Sequence, residues 1–132
     1  NETDILRFAE PNFHTIKENE TVADAISLMS KIDQSELIVV NQSGEFIGKT
    51  NSLSLLNKKG PLSSLDVIDK NCVFIEHDAS VQSAMEIASD FVGEVIPIVE
   101  TDQNKAVAII TEGAIFQAYL SKQSQTVEME KR

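Results

Sequence analysis

The hydrophobic pattern changes period in the same order twice along the chain. Val22, Ala25, Ile26, Met29 and Ile32 recur at the spacing of one helix face, and Thr21 with Asp24 three residues on forms a near capping box. The runs "ELIVV" and "EFIGK" then read as two strands around the turn Asn41-Gln42-Ser43-Gly44. A second cycle starts at Ser80, again a residue suited to cap a helix, and continues through "SVQSAMEIASDF" to "EVIPIV" and "AVAIIT" around "ETDQNK". Short extended apolar runs at 13–16 and 73–75 precede the two cycles and read as strands. Each cycle closes on a helix, short at 53–58 and longer at 112–124, where Ile115, Phe116, Tyr119 and Leu120 share a face.

The two cycles are an internal repeat. Thr21-Val22 falls on Ser80-Val81, Ala25 on Ala84, and Val39-Val40 on Ile98-Val99, an offset of 59 residues; after the turn it becomes 60, with Leu55 on Ile115 and Leu56 on Phe116. This predicts an α+β fold of two β-α-β-β-α repeats, 5–59 and 71–122, joined by a connecting segment at 60–70 with Gly60-Pro61. The polar tail 123–132 either frays or continues the last helix. A single unit of this kind has a sheet face too large for its own helices to cover, so the two repeats are expected to pack sheet to sheet with pseudo-two-fold symmetry.

Composition narrows the function. A chain of 132 residues, 42% hydrophobic and 24% charged, suits one compact globular unit. No apolar run approaches the roughly 18–20 residues needed to cross a bilayer, so no direct membrane insertion by this segment is expected and a cytoplasmic setting is favoured. The start at Asn1, without an initiator Met or a signal-peptide pattern, fits excision from a longer protein. A net charge of −10 argues against nucleic acid as a partner. The single Cys72 cannot form an internal disulfide and suits a reducing compartment. His14 and His77 stand alone, without a Cys/His cluster, so no metal site is proposed. Carboxylate pairs such as Glu18/Glu20 and Glu128/Glu130 lie in polar stretches that read as solvated, and no nucleophile elbow occurs. No catalytic residue is assigned, and the chain is not expected to be an enzyme.

Gly48-Lys49-Thr50 has the closing letters of a nucleotide-binding P-loop. A P-loop needs G-x-x-x-x-G-K-[ST], but Gly44 and Gly48 are separated by three residues instead of four. The repeat accounts for the stretch better: Ser43-Gly44 is a hairpin turn and "EFIGK" the strand leaving it. Alternation then aims Lys49 and Asn51 at one face and Thr50 at the other.

The helix starts "TVADAISLM" and "SVQSAMEIA", the runs "LIVVNQSGEFIG" and "IPIVETDQNKAVA", and their paired order resemble the cystathionine-β-synthase (CBS) domain, the pair looking like a Bateman module. The resemblance covers roughly Ile5 to Leu120. It implies regulation: such modules bind adenine nucleotides or related ligands in clefts between repeats and transmit their state to an attached protein. ATP, ADP or AMP would then be a regulatory ligand, with no cofactor required. Pairs of this family commonly associate, which makes a homodimer the expected assembly.

In the family each cleft joins the first strand and h-P position of one repeat to a G-h-x-[ST]-x-x-D segment of the other. Carried over, the first cleft takes Cys72, Val73, Ile96 and Pro97 with Asn51 and Ser54, and the second takes Phe13, His14, Leu37 and Ile38 with Thr111 and Ala114. Asn51 stands where Thr is usual, while Ser54 and Ala114 stand where the ribose-binding Asp is usual. Loss of a charged acceptor removes about 1.5–3 kcal/mol per hydrogen bond. The other reading of these residues is local: strand ends and caps, with Ser52 or Ser54 capping the short helix and Pro97 marking an edge strand or bulge.

The wording "AEPNFHTIKENETVADAISLM", the short gap between repeats, the longer second turn and the closing "EGAIFQAYLSK" are similar to the cytosolic CBS pair that follows the membrane domain of ClC-type chloride channels and transporters. An attached membrane transport domain is the partner this implies. Alternatives are a metal-ion transporter or an enzyme as host, or a constitutive dimerisation module that binds no nucleotide.

Overall fold

The computed structural model describes residues 5–130. Its elements are β1 (Thr15–Lys17), α1 (Val22–Ile32), β2 (Glu36–Val40), β3 (Phe46–Asn51), β4 (Ile75–Glu76), α2 (Val81–Ala88), β5 (Ile96–Glu100), β6 (Lys105–Ile110) and α3 (Glu112–Glu130), with short 3₁₀ turns at Leu6–Phe8 and Leu62–Ser64. The fold is α+β with two three-stranded sheets, ordered β1-β2-β3 and β4-β5-β6. No described helix is long and apolar enough to cross a membrane.

The chain divides into two compact units. One contains 12–72 and 100–106; the other contains, among the described residues, 5–11, 73–99 and 107–130. In the first unit β1 runs parallel to β2, with Ile16 opposite Val39, and β2 runs antiparallel to β3, with Ile38 opposite Lys49 and Val39 opposite Gly48. Parallel neighbours need a crossover, which α1 supplies. The helix starts on a complete capping box: Thr21 Oγ1 accepts from Asp24 N–H at 3.2 Å, and Asp24 Oδ2 accepts from Thr21 N–H at 3.1 Å. It stops at Asp33, in the left-handed region, whose N–H reaches Met29 O. Val22, Ala25 and Met29 pack with Ile16, Leu37, Val39, Leu55, Leu62 and Val67 as this unit's core.

The connecting segment belongs to that core as well. Leu62 and Val67 are buried in it, and the backbone around them is tied down at several points. Leu62 N–H donates to Glu20 O and Ser63 N–H to Glu18 O, both at 2.8 Å, while Lys49 and Asp69 exchange backbone hydrogen bonds of 3.1 and 2.7 Å. Gly48 permits this approach, because a Cβ there would lie 2.3 Å from Asp69 O.

In the second unit β4 runs parallel to β5, α2 begins on Ser80, whose Oγ accepts from Ser83 N–H at 3.0 Å, and α3 packs against α2 and the 3₁₀ turn at Leu6–Phe8. Its core joins Ile5, Ile75, Val81, Ala84, Ala88, Phe91, Ile96, Ile98, Ala108, Ile110, Ile115 and Ala118. The N-terminal segment is thus built into the core of the later repeat: Glu10 and Ile109 also exchange backbone hydrogen bonds of 2.8 and 2.9 Å. The β5–β6 turn belongs to the other unit, where Phe46 N–H donates to Asn104 O at 2.8 Å and Lys105 Nζ to Ser43 O at 3.1 Å.

Several predicted elements move. The first strands begin later than 13 and 73, so Phe13, His14, Cys72 and Val73 precede β1 and β4. The helix expected at 53–58 is a run of turns with i to i+3 hydrogen bonds such as Leu55 N–H to Ser52 O. The five residues between β3 and Asn57, which has φ 60° and is followed by Gly60 at φ 104°, are too few to offset the cost of helix nucleation. The last helix runs past 124 to Glu130, and the tail's 131–132 lie outside the described residues. Pro97 occupies the central strand of its sheet, not an edge. The short β4 pairs only with Ile98 and Val99, so no ladder pair to β4 falls on the proline.

Candidate functional site

The end of β3 builds one side of a cleft that lies entirely within the first unit. Its volume is about 490 Å³, and Glu18, Lys49, Asn51, Ser54, Ser63 and the connecting segment Leu65–Asn71 line it. Lys49 and Asn51 reach it because alternate residues of β3 share a face. Thr50, on the other face, is 2% exposed and donates from Oγ1 to Val67 O at 2.7 Å, which holds the opposite wall in place.

Lys49 is not poised like a P-loop lysine. Its Nζ lies 2.8 Å from Glu36 Oε1, with the two side chains 10% and 12% exposed. Asn51 Oδ1 accepts from Ser54 N–H at 2.8 Å, so Asn51, not Ser52 or Ser54, caps the turn after β3. Its amide NH₂ remains the group suited to donate to a ligand. Three acidic residues, Glu18, Asp66 and Asp69, line this cleft together with Lys49 and Lys70. Asp69 Oδ1 accepts from Asn71 N–H at 2.9 Å, which orients it, while Leu65 and Ile68 are half-buried at the edge of the cleft and Val67 turns into the core.

Of the residues assigned to the first predicted cleft, Asn51 and Ser54 come together here. Cys72 lies just past the lining, half-buried, and burial pushes its thiol up to about 11 from 9.0. The Lys49 ammonium opposes that rise, while the carboxylates of Asp69 and Glu36 add to it. Ile96 is a fully buried core residue beside Ile75 and Ile98, Pro97 is buried, and Val73 is exposed. None of these three lines this cleft.

In the second predicted cleft, Leu37 belongs to the core with Ile16 and Met29, while Ile38 is the neighbouring buried residue on β2. Phe13 is half-buried and His14 exposed. Thr111 Oγ1 accepts from Ala114 N–H at 3.1 Å, so the family's hydroxyl position starts α3, and Ala114 packs against the core. The local reading of Thr111 as a cap is what the geometry shows. Elsewhere, Glu76 at the end of β4 and His77 and Asp78 just after it bring ligand-type atoms within 4.8 Å of one another; they are consecutive residues, and Asp78 is exposed.

Sequence reasoning missed the carboxylates of the connecting segment. "GPLSSLDVIDK" has linker composition, and nothing local says that Asp66 and Asp69 face Asn51. That placement depends on the pairing of Asp69 with Lys49, for which Gly48 is the only trace in the sequence.

Two repeated α+β units with Asn51 and Thr111 at equivalent strand ends define a class, and the family model for the CBS domain matches residues 3–49 and 64–121. The chain belongs to the CBS-domain family. Among solved structures it is similar to CBSX2, a CBS-pair protein of Arabidopsis thaliana, in complex with AMP; identity is 19%, TM-score 0.75, with 93% of this chain and 99% of that chain covered. It is also similar to a CBS domain pair in complex with 5′-methylthioadenosine and S-adenosyl-L-methionine, at 19% identity and TM-score 0.71 over 92% of this chain and 98% of that one. The cytosolic domain of the Mg²⁺ channel MgtE in complex with ATP matches at 16% identity and TM-score 0.71, over 83% of this chain and 46% of that one. At these identities the likenesses establish the shared fold. No match is found among curated protein sequences.

Proposed function

We propose that this CBS pair is a regulatory module that senses an adenosine-containing ligand and controls an attached ion channel or transporter. The observation that carries the reading is the cleft at the end of β3. It brings polar groups at Asn51, Ser54 and Ser63 together with the acidic residues Asp66 and Asp69, suited to ribose hydroxyls, in a predominantly polar cleft edged by the half-buried Leu65 and Ile68. Ser54 lacks the family's carboxylate, and Asp66 and Asp69 bring acceptors to the same cleft from the connecting segment. Related folds crystallised with AMP, ATP, 5′-methylthioadenosine and S-adenosylmethionine support the ligand class.

A ClC-type host rests on the sequence resemblance, and the likeness to the MgtE cytosolic domain supports ion transport more broadly. Homodimerisation is part of the proposal, on the family resemblance. Regulation follows if the ligand has unequal affinity for two arrangements of the module, since only that difference shifts an equilibrium. Calorimetric titration with adenosine, AMP, ADP, ATP and S-adenosylmethionine tests the reading. Binding is expected for at least one, weakened about tenfold or more by Asn51→Ala through loss of a ligand hydrogen bond. No heat and no thermal shift with any of them at millimolar concentration sinks the sensing claim and leaves a constitutive dimerisation module.

A further inference from the structure

We infer that the cleft discriminates by charge: it takes adenosine derivatives without a polyphosphate, neutral nucleosides and cationic sulfonium forms, in preference to free ATP. This rests on the reading of the cleft as an adenosine-ligand site and adds a selection rule to it.

The lining contains three acidic residues, Glu18, Asp66 and Asp69, and two basic ones, Lys49 and Lys70. Lys49 is engaged by Glu36 at 2.8 Å, in a pair whose side chains are almost wholly shielded from water. A phosphate that drew Lys49 away would strand the Glu36 carboxylate in that shielded position, and breaking a buried pair from one side is strongly penalised. Glu36 therefore masks the best-placed cation of the cleft. Lys70 is exposed, where its attraction is screened, and three acidic residues line the same space.

The strand end offers no substitute. In a phosphate cradle, backbone N–H groups point at the anion. Here Lys49 N–H donates to Asp69 O and Ser54 N–H to Asn51 Oδ1, so two amides beside the cleft already have acceptors. A triphosphate tail thus meets repulsion without a built receptor, on a chain whose net charge of −10 adds long-range repulsion. A nucleoside meets a polar cleft with several acceptors for its hydroxyls, and a sulfonium meets an excess of acidic residues.

Titration calorimetry on the 132-residue chain, with adenosine, S-adenosylmethionine, AMP and EDTA-treated ATP as probes, tests the rule. The expected result at about 50 mM salt is ATP binding at least about tenfold weaker than adenosine, with the gap narrowing at about 300 mM salt as the charges are screened. The Glu18→Gln/Asp66→Asn variant, shown to be folded by circular dichroism, is expected to narrow the ATP-to-adenosine gap by about three- to tenfold. Glu36→Gln, which unmasks Lys49, is expected to favour AMP and ATP selectively. ATP binding as tightly as adenosine in the absence of divalent cation, or a gap indifferent to salt and to these variants, overturns the rule and leaves the adenosine-site reading standing. Absence of binding by every probe overturns both.

Discussion

Lys49 and Glu36 show how a single residue pair can look like chemistry in a sequence and act as structure in the fold. With both side chains shielded and 2.8 Å apart, each balances the other's charge. Lys49→Met alone is expected to cost about 3–5 kcal/mol, because it leaves an uncompensated carboxylate, whereas Lys49→Met combined with Glu36→Leu should recover most of it. Urea unfolding of the three proteins checks this, and equal losses in the single and double variants would contradict the ion-pair account. Cys72 gives a second residue-level prediction. Its thiol pKa is raised in the fold to about 11 against 9.0, so the folded state holds the proton more tightly. The stability this contributes is fully present below pH 9 and is lost as pH rises through about 11. Alkylation of the native protein by iodoacetamide should accordingly be slow at pH 8 and accelerate only well above it, with the urea-unfolded chain reacting much faster. Rapid labelling of the folded chain at neutral pH would contradict the burial that sets the shift.

Among the elements, those with a local cause were legible. The helices after Thr21 and Ser80 announce themselves through apolar spacing and a capping hydroxyl, and both form where expected. The stretch after β3 did not, because Leu55 suggests the repeat's closing helix while Asn57 and Gly60 cut it to a run of turns. Pro97 misled in the other direction, since a general bias against proline in inner strands ignores how short β4 is. The site divides in the same way: Asn51 and Ser54 could be reached from the repeat register, but Asp66 and Asp69 could not, because a distant backbone pairing sets their position. Gly48 is where that pairing can be tested. Gly48→Ala puts a methyl group 2.3 Å from Asp69 O and should cost about 1–3 kcal/mol by forcing the strands apart. The same change should weaken ligand binding, since one wall of the cleft retreats. A variant with unaltered melting temperature and unaltered binding would show that the connecting segment does not depend on this contact.

At the scale of the molecule, the two units are not successive stretches of chain. The segment from Ile5 to Ala9 packs with the core of the later repeat, and Ile5 is fully buried there. Ile5→Ala should therefore cost about 2–5 kcal/mol, with hydrogen-exchange protection lost first in α2, β5 and α3 rather than in α1 and β2. Loss of protection confined to the earlier repeat would reverse this assignment. The interleaving also has a kinetic meaning. Glu10 and Ile109 can pair only after on the order of 100 intervening residues have been made and brought back, a loop whose closure cost contacts must repay late. On the ribosome, α1, β1, β2 and β3 can assemble as their own residues emerge, while the segment from Ile5 to Glu10 waits for β6. The order of folding thus reverses the order of synthesis for one short segment, and the later repeat closes its core only once β6 has been made.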